Sequence, residues 1–379
     1  MPALILDRIK CLGNIEKMAL KAKKHGLGFR PHFKTHQSAT IGQWYRDFGV
    51  SEITVSSFRM AEYFAAAGWK DLLVAFPFDP SELEQLHRLQ EKHSVSILVD
   101  SVETFDSLKR VRRKTRFFID IDTGYGRTGV RTEDTETVYR IIRCSRENRN
   151  LDFAGFYCHA GHSYKAAGAD GRREIHRKAL SDLGTLKQQF SELLPRVLYG
   201  DTPNCSTQED FEGVDTITPG NFVFYDLFQW SVGSCREDEI AVAMACPVVS
   251  RYPGERKLLI HGGAVHFSKE ELRLDGQIVY GRGVDYGPGS REPAAENGWS
   301  PMQDPVSLTQ ISQEHGIIRD CPAGFFDQAR IGDLLYLLPV HSCLAANLMG
   351  GYVTTEGQKI GMMPRPESSA PSGTYFSGF

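Results

Sequence analysis

No apolar run in the chain approaches the roughly 20 residues that span a bilayer. The opening residues, MPALILDRIK, meet Asp7 and Arg8 after a few apolar positions, which leaves no core for a signal peptide. Basic charge is not in excess. Lys and Arg number 44 against 47 Asp and Glu, for a net charge of −3, which argues against a nucleic-acid partner held on a basic surface. Cysteine is scarce, eight in 379 residues, and no two form C-x-x-C. A disulfide scaffold is therefore excluded, and a cytoplasmic protein with reduced thiols and no membrane partner is expected. Low-complexity sequence is confined to the end of the chain, where MMPRPESSAPSGTYFSGF from Met362 reads as an extended or poorly ordered terminus, with the tail proper at 366–379. What remains is ordinary for a soluble globular protein, with 41% hydrophobic and 24% charged residues, long enough for two domains or one large one.

From residue 26 to about 225 one pattern repeats: a β-branched or aromatic run, then an amphipathic stretch. The strand-like runs are 27–33, 53–56, 72–76, 95–99, 117–121, 153–158, 197–199 and 216–218. The amphipathic stretches are 58–67, 80–93, 103–112, 132–147 and 172–194. Eight strands alternating with helices predict an α/β fold with a parallel sheet, a (β/α)8 TIM barrel over 20–230, with a doubly wound open sheet as the structural alternative. Beyond about residue 230, strands are expected at 240–249, 257–261, 277–279, 307–311 and 334–338, punctuated by Gly, Pro and Asp, so a second, mostly β domain is predicted over 231–365.

Barrel enzymes carry their chemistry at the C-terminal ends of the strands. The first run opens into Pro31-His32-Phe33-Lys34-Thr35-His36, placing a lysine where a desolvated amine can form a Schiff base with a carbonyl. The fifth run ends in Asp120 and Asp122 followed by Gly124-Tyr125-Gly126-Arg127-Thr128-Gly129, a G-x-G-x-x-G match. It falls in the fifth βα unit and carries two acids where a pyrophosphate would lie, so it reads as a glycine-rich loop presenting Arg127 to the barrel mouth, not as a dinucleotide site. The sixth run delivers His159, His162 and Tyr164 as candidate acid–base groups. The seventh and eighth open into Gly200-Asp201-Thr202-Pro203 and Pro219-Gly220-Asn221, with Tyr225 close behind. Loops in these two positions commonly hold a phosphate in barrels. A Schiff-base lysine on strand one with a phosphate site at strands seven and eight suggests pyridoxal phosphate. In the second domain, His341 and Cys343 lie two apart, on one face if the run is an extended strand, and imidazole with thiolate suits Zn2+. Gln313-Glu314-His315-Gly316 is a further candidate polar wall.

Seven strings in order carry a resemblance through most of the chain. They are P-H-F-K-T-H (31–36), D-T-G-Y-G-R-T-G (122–129), H-A-G-H-S-Y (159–164), G-D-T-P (200–203), P-G-N-F-V-F-Y-D (219–226), Q-E-H-G (313–316) and H-S-C (341–343). The chain resembles the D-threonine aldolase and D-serine dehydratase family, fold-type III pyridoxal-phosphate enzymes with an alanine-racemase-like barrel. The resemblance implies that Lys34 carries pyridoxal 5'-phosphate. Gly200, Thr202, Gly220, Asn221 and Tyr225 would surround its phosphate and Arg127 its ring. His159 and Tyr164 would face a D-amino acid substrate, and His341 and Cys343 would bind Zn2+ or another divalent metal such as Mn2+. It also implies that residues 1–19 join the β domain and that the protein is a homodimer. Leu344-Ala345 after H-S-C, and Gln37 after T-H, depart from frequent family residues.

Within such a family three outcomes compete at the substrate's Cα: dehydration to a 2-oxo acid and ammonia, retro-aldol cleavage to glycine and an aldehyde, and racemisation. A metal beside the β-oxygen assists the first two and is not needed for the third. The resemblance associates a His–Cys pair with dehydratases and a His–Asp pair with aldolases. Dehydration of D-serine or a D-3-hydroxy amino acid is thus the expected reaction, with D-threonine aldolase as the alternative. An amino-acid racemase or a non-catalytic pyridoxal-phosphate-binding protein is disfavoured by the second domain with its H-x-C pair.

Overall fold

The β-branched and aromatic runs do form eight parallel strands, and they close on themselves. The structure is a computed structural model that describes residues 1–286 and 298–365; the expected tail at 366–379 lies outside the described residues. After β1 (Ala3–Leu6), the barrel strands are β2 (Gly28–Phe29), β3 (Glu52–Val55), β4 (Asp71–Pro77), β5 (Ser94–Val99), β6 (Thr115–Asp122), β8 (Leu151–His159), β9 (Arg196–Gly200) and β10 (Thr216–Ile217). Two-residue β7 (Val130–Arg131) pairs with β6 beside them. The strands run in the order β2-β10-β9-β8-β6-β5-β4-β3, and a parallel bridge between His32 and Thr54 joins the ends, as the alternation predicts for a closed barrel. The inner layer includes Leu73, Leu98, Phe118, Tyr157 and Leu198, all buried. Side chains fill the barrel interior, and a cavity opens at its mouth.

The second sheet contains β11 (Val242–Tyr252), β12 (Lys257–His261), β15 (Gly281–Asp285), β16 (Ser300–Pro301), β17 (Ser307–Ile311), β18 (His315–Ile318), β19 (Leu334–Pro339), β20 (Gly351–Thr354) and β21 (Lys359–Gly361). β1 sits inside it, antiparallel to β11 and parallel to β20. The run at 277–279 is not part of that sheet; β14 (Gln277–Val279) forms a separate hairpin with β13 (Leu272–Leu274). The helix Arg8–Lys24 leads from β1 to the barrel, capped by Asp7, whose carboxylate accepts from Lys10 N at 3.0 Å. Its buried residues Cys11, Ile15, Met18 and Ala22 have helical spacing, which the reading of the alternation from residue 26 passed over. The stretch at 103–112 contracts to one turn, Phe105–Leu108. Among the described residues no helix is long and apolar enough to cross a membrane.

Two local constraints shape the barrel. Under the end of β2, Phe33 is wholly buried against Tyr45, Phe64 and Trp69, with ring centroids 4.9, 5.0 and 5.1 Å away. His36 packs edge-on to Phe33 at 4.5 Å, and burial pushes its imidazole down to about 3. In β8, Gly155 has φ +139°, and a Cβ there would lie 1.9 Å from the Arg196 carbonyl oxygen of β9. Only glycine fits such a conformation and such an approach.

Gly155→Ala is expected to destabilise the fold by about 3 kcal/mol, from positive-φ strain and overpacking together, measured by urea unfolding. His36 makes stability fall in acid. Its folded pKa lies below the unfolded value of about 6.5, so its contribution is present above that value and is lost as pH falls towards 3. Between pH 7 and 5 the loss in His36→Phe should be smaller than in the wild type by about 2 kcal/mol. Equal slopes in the two proteins would show that the imidazole titrates normally.

Candidate active site

All eight barrel strands point their C-terminal ends at one cavity of about 590 Å3, closed on the far side by the second domain. Lys34 enters it from the turn after β2. Phe33, Thr35 and His36 are buried around it, and Lys34 is the exposed member of the turn. The amine stands open to the cavity while protein surrounds it. Burial lowers its pKa, the charge of Cys343 opposes that shift and Arg127 adds to it. His32, whose Nδ1 accepts from Lys34 N at 3.3 Å, is held well below its ordinary value by burial and by Lys34 and His159. His159, at the end of β8, is pushed down to about 3 by burial, then by the charges of Lys34 and Arg127. Both imidazoles are therefore neutral acceptors or donors at working pH.

The glycine-rich loop after β6 is an anion nest that the chain fills itself. Gly124, Tyr125 and Gly126 donate their N–H groups to Asp122 Oδ1 at 2.9, 2.7 and 3.1 Å. With the carboxylate in that position no pyrophosphate can take it. Arg127 lines the cavity at its rim, 5.3 Å over the Tyr125 ring.

The loops after β9 and β10 make the opposite wall. Asn221 N donates to Thr202 Oγ1 at 3.1 Å, and Tyr164 accepts hydrogen bonds from Thr202. Burial raises the Tyr164 phenol, so it stays protonated. At Gly220 a Cβ would lie 2.9 Å from the His32 carbonyl oxygen and 3.0 Å from its Cβ, so the backbone there is bare by necessity. The buried Asn221 Oδ1 has no partner in the protein. A bare glycine and two threonine hydroxyls (Thr35 and Thr202) fit the phosphate end of a ligand whose other end reaches Lys34.

Two expected residues stay out of this wall. Tyr225, at φ +48°, is buried with its hydroxyl 3.1 Å from Ser206 Oγ, away from the cavity. Gly200 is a spacer: its carbonyl accepts from Ala160 N at 3.2 Å, and a Cβ would lie 2.2 Å from Thr218 Oγ1. His162 also lies outside the cavity lining.

His341 and Cys343 face the same cavity, but not from an extended strand. β19 ends at Pro339, His341 is the N-cap of the helix Ser342–Met349, and Cys343 lies in its first turn. The two side chains are hydrogen-bonded to each other. Burial would lower His341, but that bond and the charges of Cys343, Asp226 and Glu270 outweigh it and lift the imidazole to about 9. Burial would likewise raise Cys343, but the hydrogen bond with His341, the charge of His341 and the contact with Thr35 Oγ1, 3.4 Å from the sulfur, bring the thiol below its ordinary value. A thiolate beside an imidazole is the donor chemistry of a zinc site, with a metal taking the place of the shared proton.

Sequence reasoning missed several lining residues. Asp201 and Asp226 lie in the quoted strings G-D-T-P and P-G-N-F-V-F-Y-D, so a signal was present; Phe228, Gln229 and Glu270 carry none. Conversely, the Q-E-H-G string does not reach the cavity. Glu314 instead meets His261 and His266, with ligand atoms within 4.8 Å of one another. Gly263 N donates to His266 Nδ1 at 3.2 Å, which leaves the ring proton on Nε2, 3.8 Å from Glu314. His261 Nε2 lies 3.2 Å from Glu314 Oε2, and the three form a polar cluster outside the cavity.

Comparison with known proteins agrees with this geometry. Residues 7–226 match the family model described as alanine racemase, N-terminal domain, and residues 241–355 match the putative serine dehydratase domain. The chain is 27% identical to a D-serine dehydratase of Dictyostelium discoideum over 92% of this chain and 91% of that protein. It is 27% identical to a D-threo-3-hydroxyaspartate dehydratase of Delftia sp. over 90% of each. The solved structure of the Delftia enzyme superposes with a TM-score of 0.85 at 25% identity, covering 96% of this chain and 97% of that one. A D-threonine aldolase of Arthrobacter sp. is 23% identical over 93% of this chain and 88% of that protein. The chain belongs to the D-threonine aldolase and D-serine dehydratase family, built on the alanine-racemase-like barrel.

Proposed function

We propose that the chain is a lyase dehydrating D-serine or a D-3-hydroxy amino acid to a 2-oxo acid and ammonia, with pyridoxal phosphate on Lys34 and a divalent metal, Zn2+ by its donor set, at His341 and Cys343. The observation that carries the reading is the position of Cys343: a thiol of lowered pKa, bonded to His341, opening on the cavity that Lys34 enters. The names of the relatives add support. Both 27% relatives are dehydratases, and a cysteine-to-alanine mutant of the D-threo-3-hydroxyaspartate dehydratase has been solved in a metal-free form, with a TM-score of 0.86 to this chain.

Bound here, pyridoxal phosphate supplies a sink for the negative charge that develops at the substrate's Cα, and the metal a Lewis acid for the β-oxygen. The chain's own residues do the rest. Gly220 and Thr202 would hold the phosphate end, with Asn221 fixing Thr202 through its backbone N–H. Lys34, its pKa lowered by burial, would take the Cα proton. Neutral His159 and protonated Tyr164 line the same cavity as hydrogen-bonding groups for the substrate. Leu98 and Phe228 keep the walls apolar and strengthen these contacts. A retro-aldol reading rests on His159, a neutral imidazole able to take a proton from the β-hydroxyl.

Product analysis separates the two. The purified chain, supplied with pyridoxal phosphate and Zn2+, is incubated with D-serine, D-threonine and D-threo-3-hydroxyaspartate, and 2-oxo acid, ammonia and glycine are assayed separately. Oxo acid and ammonia without glycine are expected. Glycine with an aldehyde would make the chain an aldolase and show that a His–Cys pair does not select the reaction. Lys34→Ala should lose the protein-bound cofactor absorbance and roughly a thousandfold or more in turnover.

A further inference from the structure

The Asp226 carboxylate takes no part in the chemistry above, yet the turn bearing His341 and Cys343 hangs from it. Asp226 closes the loop after β10 and is buried. Its Oδ1 caps the helix Leu227–Ser231, accepting from Gln229 N at 2.9 Å. Its Oδ2 accepts three bonds: from Ser342 N at 3.0 Å, Ser342 Oγ at 3.2 Å and Asn221 Nδ2 at 2.8 Å. Ser342 is the residue between the two metal donors and is wholly buried. Asn221 Nδ2 also lies 3.3 Å from Cys343 Sγ, while the same residue's backbone N–H is bonded to Thr202 at the phosphate wall.

We propose that Asp226 is the positioning residue of the metal pair: by fixing Ser342 from both its backbone and its side chain, it sets the separation and aim of His341 and Cys343 and ties them to the phosphate-binding loop. The inference rests on the reading of His341 and Cys343 as metal donors. A carboxylate is required because both oxygens accept and neither donates. An asparagine must turn its NH2 either towards the three donors at Oδ2 or towards the Gln229 N–H at Oδ1, so one set is lost. Groups that orient metal ligands from behind typically carry 10–100-fold in metal affinity.

The full chain, D226N and S342A are titrated with Co2+ against a chelator, reading the thiolate-to-metal charge-transfer band that Cys343→Ala should abolish. Protein-bound cofactor absorbance and thermal unfolding are recorded alongside. D226N is expected to bind Co2+ about 10–100-fold more weakly while keeping the cofactor absorbance and a cooperative transition. S342A, which loses one of the three donors and keeps the backbone bond, should weaken binding several-fold; if D226N does not fold, S342A carries the test. Wild-type affinity in folded D226N, or in S342A where D226N does not fold, overturns the role of Asp226. A wild-type chain with no Cys343-dependent band removes the metal reading itself, and the inference with it.

Discussion

The site depends on one short turn, in which burial sorts consecutive side chains. Phe33, Thr35 and His36 are all driven into the protein at the end of β2, and Lys34 between them is left to the cavity. The aromatic cluster of Phe33, Tyr45, Phe64 and Trp69 makes that sorting rigid, because any rotation that withdrew Lys34 would unpack a ring. The same burial that fixes the lysine lowers its pKa. Position and reactivity thus have one cause, removal of a polar turn from water, and the neighbouring histidines pay the same desolvation by remaining neutral.

Opposite this turn the structure solves a different problem, joining two domains at atomic precision. β1 crosses into the second sheet and the helix Arg8–Lys24 returns to the barrel, so the chain ties the domains before the barrel begins. At the cavity the tie is polar: Asn221 and Asp226 from the barrel loops meet Ser342 and Cys343 from the second domain. Buried and linked through several hydrogen bonds, such a network specifies one arrangement where apolar packing alone would tolerate several. The loop after β6 shows the same economy in reverse, since its amide nest is spent on Asp122 and presents no anion site to a ligand.

The barrel was legible because its physics is local. Each strand is a short β-branched or aromatic run bounded by turns, and the helical stretches between them keep a 3.6-residue period, so eight alternations predict a closed parallel sheet. The second domain was less legible. Its strands pair antiparallel across long separations, as β12 does with β18 and β15 with β19. Short strands such as β18 and β20 have no periodicity of their own and exist because a neighbour's edge needed pairing. The helix at Ser342–Met349 was not foreseen, because the expected strand ends at 338 and only Val340 and His341 separate β19 from the helix, too short a stretch to show a change of period.

For the site, the sequence by itself determined the inventory: a lysine after strand one, histidines after strand six, bare glycines after strands seven and eight, a His–Cys pair near the end. Residue types and their order suffice for that, since each follows its own strand. Only the tertiary structure decided which of them converge. It placed Gly220 and Asn221 in the wall and turned Tyr225 away to Ser206. It brought His341 and Cys343 together across a helix N-terminus instead of along a strand, and it set Asp226 behind them. The physical reason is that convergence is fixed by strand ends and helix starts from both domains meeting at one mouth, through contacts between residues as much as 308 positions apart, as between Thr35 and Cys343. No local preference encodes such a meeting; the closure of the barrel and the docking of the second sheet do.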